Sequence, residues 1–390
     1  MTTLAEALRS STSLQDAEVE WLHLVVGDWQ LLADLSFSDL VLWVPASDGS
    51  WRAVAHVRPN TGPMVFYEDI VGLASAESHR WLLDQAYGTR RIVPGGDPVP
   101  REDMTVREEA VPVVRQGEAI AVLSRHTDIA SARSRSRLEV TYRGLADWLA
   151  RMIAAGEFPS PASPTGLRRG APRVGDGVIQ LDVEGVVEYA SPNAISAIHR
   201  LGHMGDVVGE VLAEIVANLL QRSTIPVDES LAVVLTGRAP WRSEAETQAA
   251  SVSMRAIPLT DGGVRVGAML LVRDVSELRR REQELMTKDA TIREIHHRVK
   301  NNLQTVAALL RLQARRVPDA GAKAALEEAV RRVATIALVH ETLGQGFDET
   351  VNFDDVARQG LRAVVEVATS EHRVQSSLTG SFGRLRAEDA

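Results

Sequence analysis

Cysteine is absent from the 390 residues. That excludes disulfides, thiolate metal sites, iron–sulfur clusters, Cys-attached haem or bilin, and cysteinyl-flavin photochemistry. Excess positive charge is also missing. Lys and Arg number 43 against 52 Asp and Glu, a net charge of −9, so the chain has no global electrostatic case for binding nucleic acid. No apolar run reaches the roughly 18 residues that a membrane-spanning helix needs. The N-terminal stretch, MTTLAEALRSSTSLQDAEVEWLHL, lacks a basic segment followed by an apolar one, so no signal peptide is expected. No GxxxxGK[ST] phosphate-binding loop occurs. Together these absences predict a cytosolic protein with no membrane partner and no direct nucleic-acid partner.

What is present suggests two to four folded units, at roughly 100–200 residues each. Residues 14 to 35 have helical periodicity through Leu22, Val25, Val26, Trp29, Leu32 and Leu35. LVLWVP and WRAVAHV flank the turn ASDGS and read as a hairpin. AVPVV and AIAVLSR form a second strand pair, and SRLEVTYRGLADWLARMIAAGEF reads as a helix. This predicts an α+β sensor-type domain over residues 1–158. Trp21, Trp29, Trp43, Trp51 and Trp81 lie in it, and packing in the core is the reading favoured over a ligand cage. PSPASPTGLRRGAPRVGDG, residues 159–177, is rich in Pro, Gly and Ser and reads as a linker. A second α+β unit spans 178–275, with a helix over 213–221 and a closing strand pair around TDGG. His199 and His203 stand four apart on a helix of this unit. Placement in the core or on the surface is favoured over haem or metal ligation.

From Ser276 the apolar period changes from two residues to about 3.5. Leu278, Leu285, Ile292, Val299 and Val306 recur every seven residues, with Ile295, Leu303 and Leu310 between them. This predicts one helix to about Val317, a break at VPDAG, and a second amphipathic helix to about Gly344. Each apolar stripe is too long for the other helix alone, so a dimeric four-helix bundle over 276–346 is expected. After Val351 a further helix and a strand are expected.

Two adjacent histidines lie in EIHHRVKNNLQ. With Val299 set at zero and about 100° per residue, His296 falls at about 60°, flanking the seam, and His297 at about 160°, facing water. Glu294 and Asn301 share the His297 face, with Arg293 and Lys300 at its edge and Arg298 on the other side. A neutral imidazole with a carboxylate nearby is a good nucleophile, and nearby cations suit an incoming phosphoryl group. The alternatives for such a pair of histidines are plain surface residues or a basic nucleic-acid-binding helix.

HHRVKNNLQ resembles the phosphoacceptor box of sensor histidine kinases of the HisKA_2 type, close to the HWE group. RVATIALVHETL resembles the second helix of their dimerisation and phosphotransfer domain. RDVSEL and EYASPNA resemble parts of a PAS domain. DWQLLADLSFSDLVLWVP with RPNTGP resembles the GAF-like sensor of actinobacterial PdtaS-type kinases. The resemblance implies a homodimer phosphorylated on His297 from ATP with Mg2+, passing the phosphoryl group to an Asp of a response-regulator receiver domain. For PdtaS-type kinases that regulator resembles an RNA-binding antiterminator. Arg298, Lys300 and Asn301 match the rest of the box, whereas Glu294 as a base or orienting group comes from helical spacing. Residues 347–390 would be the start of an ATP-binding domain whose nucleotide site is not in the sequence, so this chain is expected not to phosphorylate itself alone. The alternative is a kinase-derived phosphoacceptor or regulator-binding module. The sensed ligand is not legible.

Overall fold

The computed structural model describes residues 8, 14–101, 104–129, 136–160, 171–221, 229–345, 350–352, 354, 358, 361, 379–381 and 384–386. The chain divides into two compact units, Met1–Arg279 and Arg280–Ala390.

In the first unit, helix α1 (Asp16–Ser36) leads into strands β1 (Ser38–Pro45) and β2 (Trp51–Val57). Helix α2 (Glu77–Thr89), strands β3 (Val93–Pro94), β4 (Val99–Arg101), β5 (Met104–Arg115) and β6 (Glu118–Asp128), and helix α3 (Arg137–Ala155) follow. The sheet is antiparallel in order β2-β1-β6-β5-β3, with β4 paired to β5. Strand alternation sorts side chains onto two faces. Leu40, Leu42, Val44, Ile120 and Leu123 join the core shared with α1 and α3. Val41, Trp43, Trp51, Ala53 and Val122 form a second cluster with Leu82, Leu83 and Ala86 of α2. Trp21, Trp29, Trp43 and Trp51 are buried as core residues, whereas Trp81 is exposed.

A second sheet, order β8-β7-β11-β10-β9, is made by β7 (Val178–Leu181), β8 (Val187–Ala190), β9 (Arg242–Glu246), β10 (Ser251–Asp261) and β11 (Val264–Asp274). Helices α4 (Pro192–Arg200), α5 (Leu212–Leu220) and α6 (Ser230–Leu235) cover one face. Gly262 and Gly263 both take positive φ, 60° and 78°, in the tight turn between β10 and β11, the backbone that a two-residue hairpin loop requires.

The other face of this sheet is buried against the first domain. Val178, Tyr189, Ile257, Leu259, Met269 and Leu271 share one core with α1 and α3. Arg255 Nη2 donates to Asp28 Oδ2 at 2.7 Å, and the Trp148 indole N–H donates to the Thr260 carbonyl at 3.0 Å. The expected linker is therefore in part packed structure. Val174 is buried in that shared core, and Arg173 N–H donates to Asp176 across a turn. Residues 161–170 lie outside the described residues.

Helix α7 (Ser276–Arg316) has 41 residues and helix α8 (Ala320–Gln345) has 26. They form the expected helical hairpin, broken at residues 317–319. Asp319 Oδ2 accepts the Ala322 N–H at 2.7 Å, a cap for α8. The predicted helix and strand beyond Val351 lie mostly outside the described residues, which include a strand pair, β12 (Thr350–Asn352) and β13 (Arg384–Arg386). Among the described residues no helix is long and apolar enough to cross a membrane.

Candidate functional site: an exposed histidine on a continuous helix

The helix that carries the paired histidines is fixed at its root. Asp274 Oδ1 accepts both the N–H and the hydroxyl of Ser276, at 2.9 and 2.6 Å. Ser276 Oγ in turn accepts the Ser251 N–H from β10 at 2.9 Å. Arg200 pairs with Asp274, and Arg279 with Glu244 of β9. Burial raises the affinity of the Asp274 carboxyl for its proton, but the Ser276 and Arg200 contacts outweigh it and hold the group below the usual range. These contacts tie the first turn of α7 to the second sheet.

Two and a half helical repeats further on, His296 is half-buried and His297 is exposed, the order that helical phase assigns. Asn301 is exposed and Lys300 half-buried. The Arg293 side chain lies outside the described residues. Glu294 is engaged by Arg298 here. Its carboxylate accepts from Arg298 four residues on, and both side chains are well exposed. Such a pair is worth roughly 0.3–0.5 kcal/mol. The arrangement offers a nucleophilic imidazole with two cations, Arg298 and Lys300, within the same two turns.

Burial in the hairpin follows a second stripe beside the heptad. Among the described residues of the hairpin, those buried are Ala307 and Ala314 on α7 and Val330 and Ala337 on α8, with Leu303, Leu310, Leu326 and Val333 half-buried. Taking Val299 as zero, this stripe centres at about 50° on α7, not on the seam itself. Of the heptad positions, Leu285, Ile292, Ile295 and Val306 remain 61%, 38%, 53% and 43% exposed. The small alanines let two helices approach, and that approach turns the larger residues outward. Leu309 and Leu312 are exposed as well.

His199 and His203 hold a loop closed. Their Nε2 atoms lie 3.2 Å from the carbonyls of Gly205 and Asp206. Among the described residues no His, Asp and Glu cluster has metal-binding geometry. Sequence reading missed a polar cluster at the first sheet: buried Asp39 and His126 with half-buried Glu108 and, from α2, His79. They come from four separate elements, so no local spacing could have assembled them.

Comparison with known proteins bears on these features directly. Residues 4–146 match the GAF domain of the histidine kinase PdtaS, 172–280 the PAS fold, and 294–368 a histidine kinase model, HisKA_2. The sensor histidine kinase PdtaS of Mycobacterium tuberculosis (strain ATCC 25618 / H37Rv) is 44% identical over the whole chain, which spans 79% of that relative. The chain belongs to the PdtaS family of sensor histidine kinases. PdtaS of Mycolicibacterium smegmatis is 43% identical over the same extent. A solved sensor region of a sensor histidine kinase, 37% identical, covers 71% of the chain and 99% of its own, with a TM-score of 0.60. The HisKA_2 match begins at Glu294, so the exposed His297 imidazole lies at the start of the segment matched by the histidine kinase model.

Proposed function

We propose that this protein is the sensing and phosphoacceptor part of a cytosolic two-component system, with His297 as the residue phosphorylated. Histidine kinases use ATP with Mg2+ as phosphoryl donor. His297 attacks the γ-phosphorus, an N–P bond forms, the P–O bond to ADP breaks, and the imidazole gives up a proton to solvent. Lys300 and Arg298 offset the charge on the arriving phosphoryl oxygens. Asn301, one turn beyond His297, orients the acceptor or a water. Glu294 is a positioning residue that reaches His297 once its pair with Arg298 opens. The phosphoryl group then passes to an Asp of a receiver domain, in a response regulator of RNA-binding antiterminator type.

The dimer is part of this proposal. A second copy buries Ile292, Ile295 and Val306, giving a four-helix bundle over 276–346. Residues 1–158 and 178–275 serve as GAF and PAS sensor domains, and their signal reaches His297 through the root of α7. Supporting the reading is one observation above all: the exposed member of the histidine pair lies in the segment shared with histidine kinases.

The test is phosphoryl labelling. The chain is incubated with radiolabelled ATP and Mg2+, with the ATP-binding domain of a PdtaS relative supplied separately. Acid-labile label is expected on wild type and on His296→Gln, and at least a hundredfold less on His297→Gln. Undiminished label on His297→Gln would overturn the assignment.

A further inference from the structure

The face of the first sheet that looks away from α1 and α3 carries a row of ionisable groups. Register places Asp39 of β1 opposite His126 of β6, and His126 opposite Glu108 of β5. Side chains directly opposite on one face are nearest neighbours, so a buried imidazole stands between two carboxylates. His79 reaches in from α2, and its Nδ1 lies 2.9 Å from Glu108 Oε2. The rings of His79 and His126 stack with centroids 5.7 Å apart, and Phe66 packs edge-on against His126 at 4.8 Å.

Hydrogen-bond direction favours one tautomer of the neutral His126 ring. The Trp43 indole N–H can only donate, and it donates to Ser124 Oγ at 2.7 Å. Ser124 has one hydroxyl proton, and His126 Nε2 lies 2.8 Å away. Ser124 therefore donates to Nε2, and the ring proton of neutral His126 stands on Nδ1. That nitrogen is 3.4 Å from Glu108 Oε1 and makes no hydrogen bond. Its contact with the carboxylate is electrostatic only. His79 Nε2 is likewise buried without a hydrogen-bond partner. A proton on His126 would turn the Ser124 hydroxyl away and place a second charge in a buried stack.

We propose that this cluster is a proton-operated latch: neutral His126 holds α2 and the Phe66 loop against the sheet, and protonation of His126 releases them. The latch joins three parts. His79 ties α2 to Glu108. Asp39 accepts the N–H groups of Val65 and Phe66, both at 3.1 Å, and faces His56 Nε2 at 3.3 Å. Arg58 holds the Phe66 carbonyl at 2.8 Å. The groups that bear on His126 are thus Asp39, His56, Glu108 and His79, with the Arg58 guanidinium behind the loop.

The sign follows from burial. Burial pushes His126 below the ordinary imidazole value of 6.5, against the opposing pull of Glu108. The close contacts of the His126 and His79 imidazoles outweigh burial and hold the Glu108 carboxyl well below its usual range. Both groups bind fewer protons in the closed state than in an open, hydrated one. The closed state is therefore fully favoured above about pH 6.5 and loses ground as pH falls through the depressed value of His126.

Hydrogen exchange on the full chain between pH 7.5 and 5.5, corrected for intrinsic rates, tests this. Amides of residues 80–89 should lose protection by up to about tenfold per pH unit below the transition, while those of 140–153 in α3 should not. His126→Gln keeps an acceptor for Ser124 but takes no proton, and its α2 protection should stay flat. His79→Gln should keep the transition, since His126 remains. Equal loss in α2 and α3, no loss in either, or an unchanged transition in His126→Gln would overturn the latch. If His126→Gln loses α3 protection at pH 7.5, the wild-type His126 ring signal decides. Titration below the ordinary value together with α2 opening supports the latch, and titration at the ordinary value contradicts it.

Discussion

The sensor unit and the helical hairpin bury apolar surface in opposite ways. In the sensor, two sheets and the helices between them close on each other. Leu40, Leu42, Leu123, Leu149 and Ile153 are essentially inaccessible, and one core runs from the first sheet through α1 and α3 to the second. Among the described residues of the hairpin, Ala307, Ala314, Val330 and Ala337 are buried, Leu303 and Leu310 are half-buried, and Leu285, Ile292, Ile295 and Val306 of the heptad face water. The difference separates two tasks. A sensor must hold one shape so that a small change at one face is felt at another. On the function proposed above, the hairpin presents a residue to other proteins and a partner copy completes its apolar seam.

Mutations should part the two regions by size of effect. Leu149→Ala removes a side chain with no exposed surface from the shared core, and a loss of about 2–5 kcal/mol in unfolding free energy is expected from denaturant titration. A loss below 1 kcal/mol would show that the core yields more than its burial indicates. Next comes Arg255→Met, which leaves the Asp28 carboxylate without its cation between the two sensor domains. The two side chains are 14% and 16% exposed, so roughly 2–3 kcal/mol is expected, under the 3–5 of a fully buried pair. The two domains should then melt in separate steps. A single unshifted transition would contradict a coupling role for the pair.

Much of this was legible in the sequence, and the rest failed for physical reasons. The periodic run of α1 and the alternating strands β1, β2, β10 and β11 announce themselves because their apolar residues repeat at 3.6 or 2. Helix α2 was missed because ESHRWLLDQAYGT buries only Leu82, Leu83 and Ala86. Strand β9, RSEAE, is a polar edge strand with two buried residues, Ser243 and Ala245. Val174 looked like linker because its neighbours are Pro, Arg and Gly, yet it fills a gap between two domains. The heptad in α7 was plain, but a single helix cannot say which partner takes which stripe. The His296 and His297 phases followed from geometry alone. The pairing of Glu294 with Arg298 did not, because several i+3 and i+4 partners compete for one carboxylate.

The contrast between a closed sensor and an open hairpin is tested most directly by sedimentation equilibrium of the full chain across protein concentration. The mass should be that of a dimer in wild type. Placing a charge on the seam with Ile295→Glu and Val306→Glu should give a monomer whose sensor domains melt unchanged. A wild-type chain that stays monomeric at every concentration, or a seam variant that still dimerises, would contradict the account.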